Sequence, residues 1–206
     1  MRALLSFAIE LVEHPMSAPA DSPDTAPDTQ AVIAATQHWL TRAVIGLNLC
    51  PFAKAVHVKQ QIRYVVSDAR DLEGVLTILE AELKTLAEAD PERIDTTLLI
   101  FPHALVDFLE FNDTLFFAER LLGQLRLDGT LQIASFHPQY RFEGTEPEDI
   151  ENYTNRAPYP ILHLLREASI ERAVAAVPDA ADIYERNQET LRRLGHEGWR
   201  KWMSED

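Results

Sequence analysis

Asn152-Tyr153-Thr154-Asn155-Arg156-Ala157-Pro158-Tyr159-Pro160-Ile161-Leu162-His163-Leu164-Leu165-Arg166-Glu167 is the stretch on which the fold turns. Pro158 and Pro160 disfavour helix before them and suit a first helical turn, so the spacing predicts a helix opening near Tyr159 or Pro160. At 3.6 residues per turn, Ile161, Leu164, Leu165 and Ala168 then share an apolar face, with His163, Arg166 and Glu167 on the other. Asn155 and Arg156 fall just before this helix, where free backbone amides and the dipole favour an anion. The same residues also admit a structural reading. Arg166 and Glu167 then form a solvated pair, and His163 is a satisfied histidine at a helix–sheet seam.

Upstream, three segments read as strands. Gln61 to Ser67 is rich in β-branched and aromatic residues, Thr97 to Phe101 is a continuous apolar run ended by Pro102, and Leu131 to Phe136 is the third. Helical patterns occupy Thr29 to Leu47, the segment from Leu72 to just before Pro91, Ala104 to Leu125, and a charged C-terminal stretch from Asp179 to Met203, broken at Gly195 and docked by Trp199 and Trp202. Two crossovers of roughly thirty residues, each holding a helix, fit right-handed parallel βαβ units. The expected fold is therefore α/β: residues 29–206 as one domain, with a small, mainly parallel sheet of three or more strands packed by helices, after a disordered N-terminal tail over residues 1–28. That tail is dominated by Ala, Pro, Asp, Ser and Thr from Ser17 to Thr29. The apolar run Ala3 to Ile9 has an incomplete likeness to a signal peptide, spoiled by Glu10, Glu13 and Pro15, and Met16 is an alternative start.

The net charge of −14 argues against nucleic acid and anionic membrane surfaces as partners, leaving a small anionic molecule open. One cysteine excludes an internal disulfide framework and fits a reducing, cytoplasmic setting. With seven glycines and no glycine-rich phosphate loop or dinucleotide fingerprint, no cofactor is expected.

In an open parallel sheet, ligands bind outside the carboxyl ends of the strands. Here those ends read Ser67-Asp68, Phe101-Pro102-His103 and Phe136-His137-Pro138-Gln139-Tyr140, which brings two histidines to one edge. His137 fits a general acid or base, or a ring that pins the Pro138 turn. His103 either joins that site or simply begins a helix. Cys50, in Gly46-Leu47-Asn48-Leu49-Cys50-Pro51-Phe52-Ala53-Lys54, is an activated thiol if it caps a helix starting at Pro51, and a small buried hydrophobe if it ends the helix before. His103, His137 and His163, with Asp68 or Glu143, contain metal-ligating types, but none shows the close spacing of a dedicated site, and no metal is expected.

Four segments carry a family resemblance: Gly46 to Lys54, Ser135 to Phe142, Asn152 to Glu167, and the helix at Ile183-Tyr184-Glu185. Together they resemble the bacterial family catalogued as domain of unknown function 1415, across about Thr29 to Met203. The resemblance implies a soluble bacterial single-domain protein and brings no activity, substrate or cofactor. Ala157 stands where serine is expected in that family, which makes the position a poor candidate for a required hydroxyl.

The leading expectation is an enzyme of hydrolase or transferase type acting on a small anionic metabolite. His137 acts as general acid/base, Cys50 as an optional nucleophile, and His163 as a further catalytic candidate. Arg156 and Arg166 bind the anion, Asn152 and Asn155 orient it, Glu167 steadies His163 or an arginine, and Tyr140 and His103 complete the pocket. A non-catalytic binding or interaction protein is the alternative, and a thiol or metal redox protein the third. The oligomeric state is left open.

Overall fold

The computed structural model describes residues 28–175 and 182–204. The expectations for the N-terminal tail and for the start of the C-terminal helical stretch at Asp179 lie outside these residues. Strands β1 (Ile62–Val66), β2 (Thr96–Ile100), β3 (Leu131–Phe136) and β4 (Ile161–Arg166) form one sheet in the order β1-β2-β4-β3. Helix α1 (Thr29–Trp39) runs into a π-helical segment (Leu40–Ile45), followed by α2 (Ala53–Val58), α3 (Leu72–Glu88), α4 (Phe108–Gln124), a short 3-10 segment (Ile150–Thr154), α5 (Glu167–Ala175) and α6 (Ile183–Ser204).

The helix starts follow capping chemistry. The carboxylates of Asp28, Asp71 and Asp107 accept from the amides of Gln30, Gly74, and Leu109 with Glu110, which satisfies donors that a helix N-terminus leaves unpaired. Gly195 interrupts α6 with a φ of 64°, splitting it into two helical pieces as the sequence anticipates.

The stretch from Ile161 is where the expectation fails. It is a strand, and it alters the sheet. β1 and β2 pair in parallel, while β4 runs antiparallel to both β2 and β3. β1, β2 and β3 thus all run in one direction as expected, but β4 is inserted between β2 and β3, so the sheet is mixed rather than mainly parallel. The physical reason is in the run itself. Ile-Leu-His-Leu-Leu satisfies helical spacing and a strand covered on both faces equally well, and length and flanks alone do not separate the two. Tertiary context decides it: Ile161, Leu162 and Leu164 are fully buried, alternately toward the two sides of the sheet. His163 therefore lies mid-strand, Arg166 ends the strand, and only Glu167 begins a helix, α5.

Helices cover both faces. On one side Val75, Leu79, Leu83 and Leu86 of α3 and Phe111, Ala118 and Leu122 of α4 pack on Leu99, Leu131, Leu162 and Leu164. On the other, Val32 and Trp39 of α1 and Leu40, Ala43 and Val44 pack on Leu98, Ile100, Ala157 and Ile161, with Trp199 and Met203 alongside. The indole N–H of Trp202 donates to the Arg42 carbonyl at 2.8 Å, and the Arg42 guanidinium lies 4.6 Å above that ring, which docks the C-terminal end. Among the described residues, no helix is long and apolar enough to cross a membrane.

Candidate functional site

The carboxyl ends of β1, β2 and β3 point to one edge, and β4 enters the sheet from that same edge. The amide of Phe101 donates to the Pro160 carbonyl at 3.0 Å, tying the proline-gated entry to the end of β2. The segments singled out in the sequence meet here. His137 N–H donates to the Asn155 carbonyl at 3.2 Å, and the Asn155 amide donates to the Ser135 carbonyl at 3.2 Å. The rings of Phe142 and Tyr184 meet edge-on at 5.9 Å, and buried Asn187 donates to the Leu49 carbonyl at 2.8 Å. These contacts tie the 135–142 segment to Asn155 and to Tyr184 directly, and the 46–54 segment to the same helix as Tyr184 through Leu49 and Asn187.

His137 is fully buried. The Gln139 amide donates to Nδ1 at 3.0 Å, so Nδ1 is the acceptor and Nε2 carries the proton, donating to the Leu105 carbonyl at 3.0 Å. Burial lowers its pKa, with the Leu105 and Val106 carbonyls and the Asp107 carboxylate opposing. Leu105 is itself held at a φ of 59°, a region costly for a branched side chain. The ring therefore braces the turn after β2 against the turn after β3, between Phe108 and Phe111. Of the two roles open in the sequence, the geometry displays the pin.

The other candidates divide by position. Asn152 is fully buried; its oxygen accepts from the Phe142 amide and the Thr145 hydroxyl, and its nitrogen donates to the Glu146 carbonyl, so it shapes the loop from 142 to 152. Arg156 stacks 4.4 Å over the Tyr153 ring and donates to the carbonyls of Tyr140 and Pro147. Those bonds occupy two of its five N–H groups. Burial pushes the Tyr140 phenol up, with the side chains of Ser135 and Asn155 opposing. His103 is half-buried in the turn after β2.

Three candidates are not brought to this edge. Arg166 stands at the opposite end of β4, donating to the carbonyls of Leu86, Ala89 and Ile94. Glu167 starts α5 beside it, its amide donating to the Thr130 carbonyl. His163 points to the α1 side at mid-strand, where its Nε2 meets the Thr96 hydroxyl at 2.6 Å. That hydroxyl donates its only hydrogen to the Leu164 carbonyl, so the ring must be the donor to it. Desolvation holds His163 down at about 4, well below the usual histidine range. The three histidines do not gather; among the described residues, no group of three or more His, Cys, Asp or Glu side chains is placed to hold a metal ion.

Cys50 precedes the turn into α2, with the Ala53 amide donating to its carbonyl at 3.2 Å. The sequence left open a cap and a buried hydrophobe; α2 begins at Ala53 with Phe52 at its N-cap position and no side-chain cap bond, so Cys50 is not the cap, and its side chain is half-buried. The amides of Phe52 and Ala53 favour the thiolate, yet burial is the larger effect and raises the pKa. Alkylation of the native protein by iodoacetamide at neutral pH is thus expected to be slower than in denatured protein, with equal rates as the contrary result.

Tyr184 and Asn187 were not among the sequence candidates. Their signal is the spacing of 184, 187 and 191, which places Tyr184 on the face of α6 that buries Asn187 and Leu191.

The fold and edge define a class: a three-layer α/β domain with a mixed four-stranded sheet and a polar, aromatic carboxyl edge. The family model described as protein of unknown function (DUF1415) matches residues 31–201, and the chain belongs to that family. No curated protein and no solved structure matches it.

Proposed function

We propose that this chain is a non-catalytic binder of a small anionic molecule in the bacterial cytoplasm, engaged at the carboxyl edge by Arg156 and Tyr140. The observation that carries this reading over a hydrolase or transferase is the state of His137. With Nδ1 accepting from Gln139 and Nε2 donating to Leu105, the ring exchanges no proton with a substrate unless a turn opens. Arg156 supports the anionic ligand. Its guanidinium is already oriented by two carbonyls and by Tyr153, so little ordering remains for binding to impose. The net charge of −14 keeps nucleic acid an unsuitable partner.

A second reading has one observation in its favour. The amides of Phe52 and Ala53 oppose the rise in the Cys50 pKa, as they would for a nucleophilic thiol of a hydrolase or transferase. Measurable alkylation of the native thiol that is blocked by the bound anion would favour it.

The test is a thermal-shift screen of small carboxylates and phosphates. A ligand at about a hundred times its Kd protects the wild type by roughly 2.7 kcal/mol. Arg156→Ala is expected to lower the unliganded stability by about 1–2 kcal/mol through its lost carbonyl and ring contacts, and to abolish the added protection. Full protection of Arg156→Ala relative to its own baseline, or no protection of the wild type by any anion, would sink the proposal.

A further inference from the structure

Helix α4 turns an apolar stripe outward. Leu109 is 66% exposed, Phe116 61% and Phe117 43%, while Phe111, Thr114, Ala118 and Leu122 of the same helix are buried. At 3.6 residues per turn, Leu109, Asp113, Phe116 and Arg120 fall within about 60° of arc, so they form the outermost seam of the helix. The Arg120 guanidinium lies 5.7 Å over the Phe116 ring. Beside the seam, α3 and α4 enclose an open groove of about 830 Å³, with Leu72, Leu76, Phe117 and Leu121 in its lining.

We infer that this face is a two-fold interface with a second copy of the chain, α4 packing antiparallel on α4. The order of charges along the seam carries the inference. With the axis between Phe116 and Phe117, Asp113 lies opposite the partner's Arg120, and symmetry makes that pair twice. Phe116 then meets the partner's Phe117, Leu109 meets the partner's Gln124, and no like charges on α4 oppose one another across the axis. The exposed Phe116 is a knob, and the groove beside Phe117 is a hole on the same patch. Self-complementarity of both shape and charge is what an isologous contact requires. A chain of net charge −14 repels its own kind at long range, so a face that pairs its own cation and carboxylate is where self-contact costs least.

Sedimentation velocity and light scattering of the full chain, from micromolar to submillimolar concentration, test this directly. The expected mass is that of a dimer. Asp113→Arg and Arg120→Asp are each expected to weaken the dimer at least about tenfold by placing like charges together twice, and the double exchange to restore it. Both positions are on the solvent face of α4, and a circular dichroism melt of each variant checks that it is folded. A wild-type monomer at every concentration overturns the inference, whether the face is then bare or covered by something else. So does a dimer indifferent to both single reversals, or one that the double exchange of folded variants fails to restore.

Discussion

Arg166→Met is expected to lower the folding free energy by about 3 kcal/mol, seen as a fall in the urea midpoint with an unchanged slope. Helix α3 ends at Glu88 and its last carbonyls have no partner within the helix. The guanidinium takes those of Leu86 and Ala89 together with that of Ile94, and it is only 9% exposed. Its charge also sits at the negative end of the α3 dipole. Methionine fills much of the volume but leaves three carbonyls short of a donor in a place that water reaches poorly. Arg166→Lys should recover only part of the loss, because a single ammonium does not span the same three oxygens as a planar fork. A change within about 0.5 kcal/mol for methionine would instead assign this arginine to a solvated surface.

Arg166 also shows where sequence reading runs out. Its main acceptor at Leu86 is 80 residues away, and nothing near 166 announces it. Elements that depend on local chemistry were legible: the helical patterns that become α1, α3 and α4, the buried run of β2, and the common direction of β1, β2 and β3. The strand β4 was not, because a proline followed by a short continuous apolar run opens a helix or enters a sheet with equal local fitness. What selects the strand is the space between β2 and β3, a property of the assembled sheet. That one reversal moved Arg166 and Glu167 to the far edge and put His163 at mid-strand. The carboxyl edge itself was legible, since it follows from strand direction. The role of His137 was legible only as a pair of alternatives, because whether an imidazole is free depends on carbonyls and amides such as Leu105 and Gln139 that only folding brings to it.

The second large effect is acid sensitivity set by His163. In the folded chain its pKa is held down to about 4 by desolvation, against an ordinary 6.5 in the unfolded chain. The native state therefore binds fewer protons than the unfolded state between those values. The stability this ring contributes is fully present above 6.5 and drains away as the pH falls toward 4. Between about pH 7.5 and about pH 5 the loss is expected to be roughly 1–2 kcal/mol, the lower end reflecting the ring's residual contact with solvent. His163→Leu should abolish that portion. Leucine suits a strand position paired with Leu98 and Ala134 and packed near Phe136, and the Thr96 hydroxyl keeps its bond to the Leu164 carbonyl. At neutral pH the variant is expected within about 1 kcal/mol of the wild type, since only one neutral hydrogen bond is lost against a gain in apolar burial. His137 carries a depressed pKa of its own and is present in both proteins, so some acid loss persists in the variant. Urea titrations at the two pH values decide the matter: wild type and His163→Leu losing equal stability on acidification would mean that water reaches the imidazole in β4 freely, and that its burial in the sheet does not set its charge.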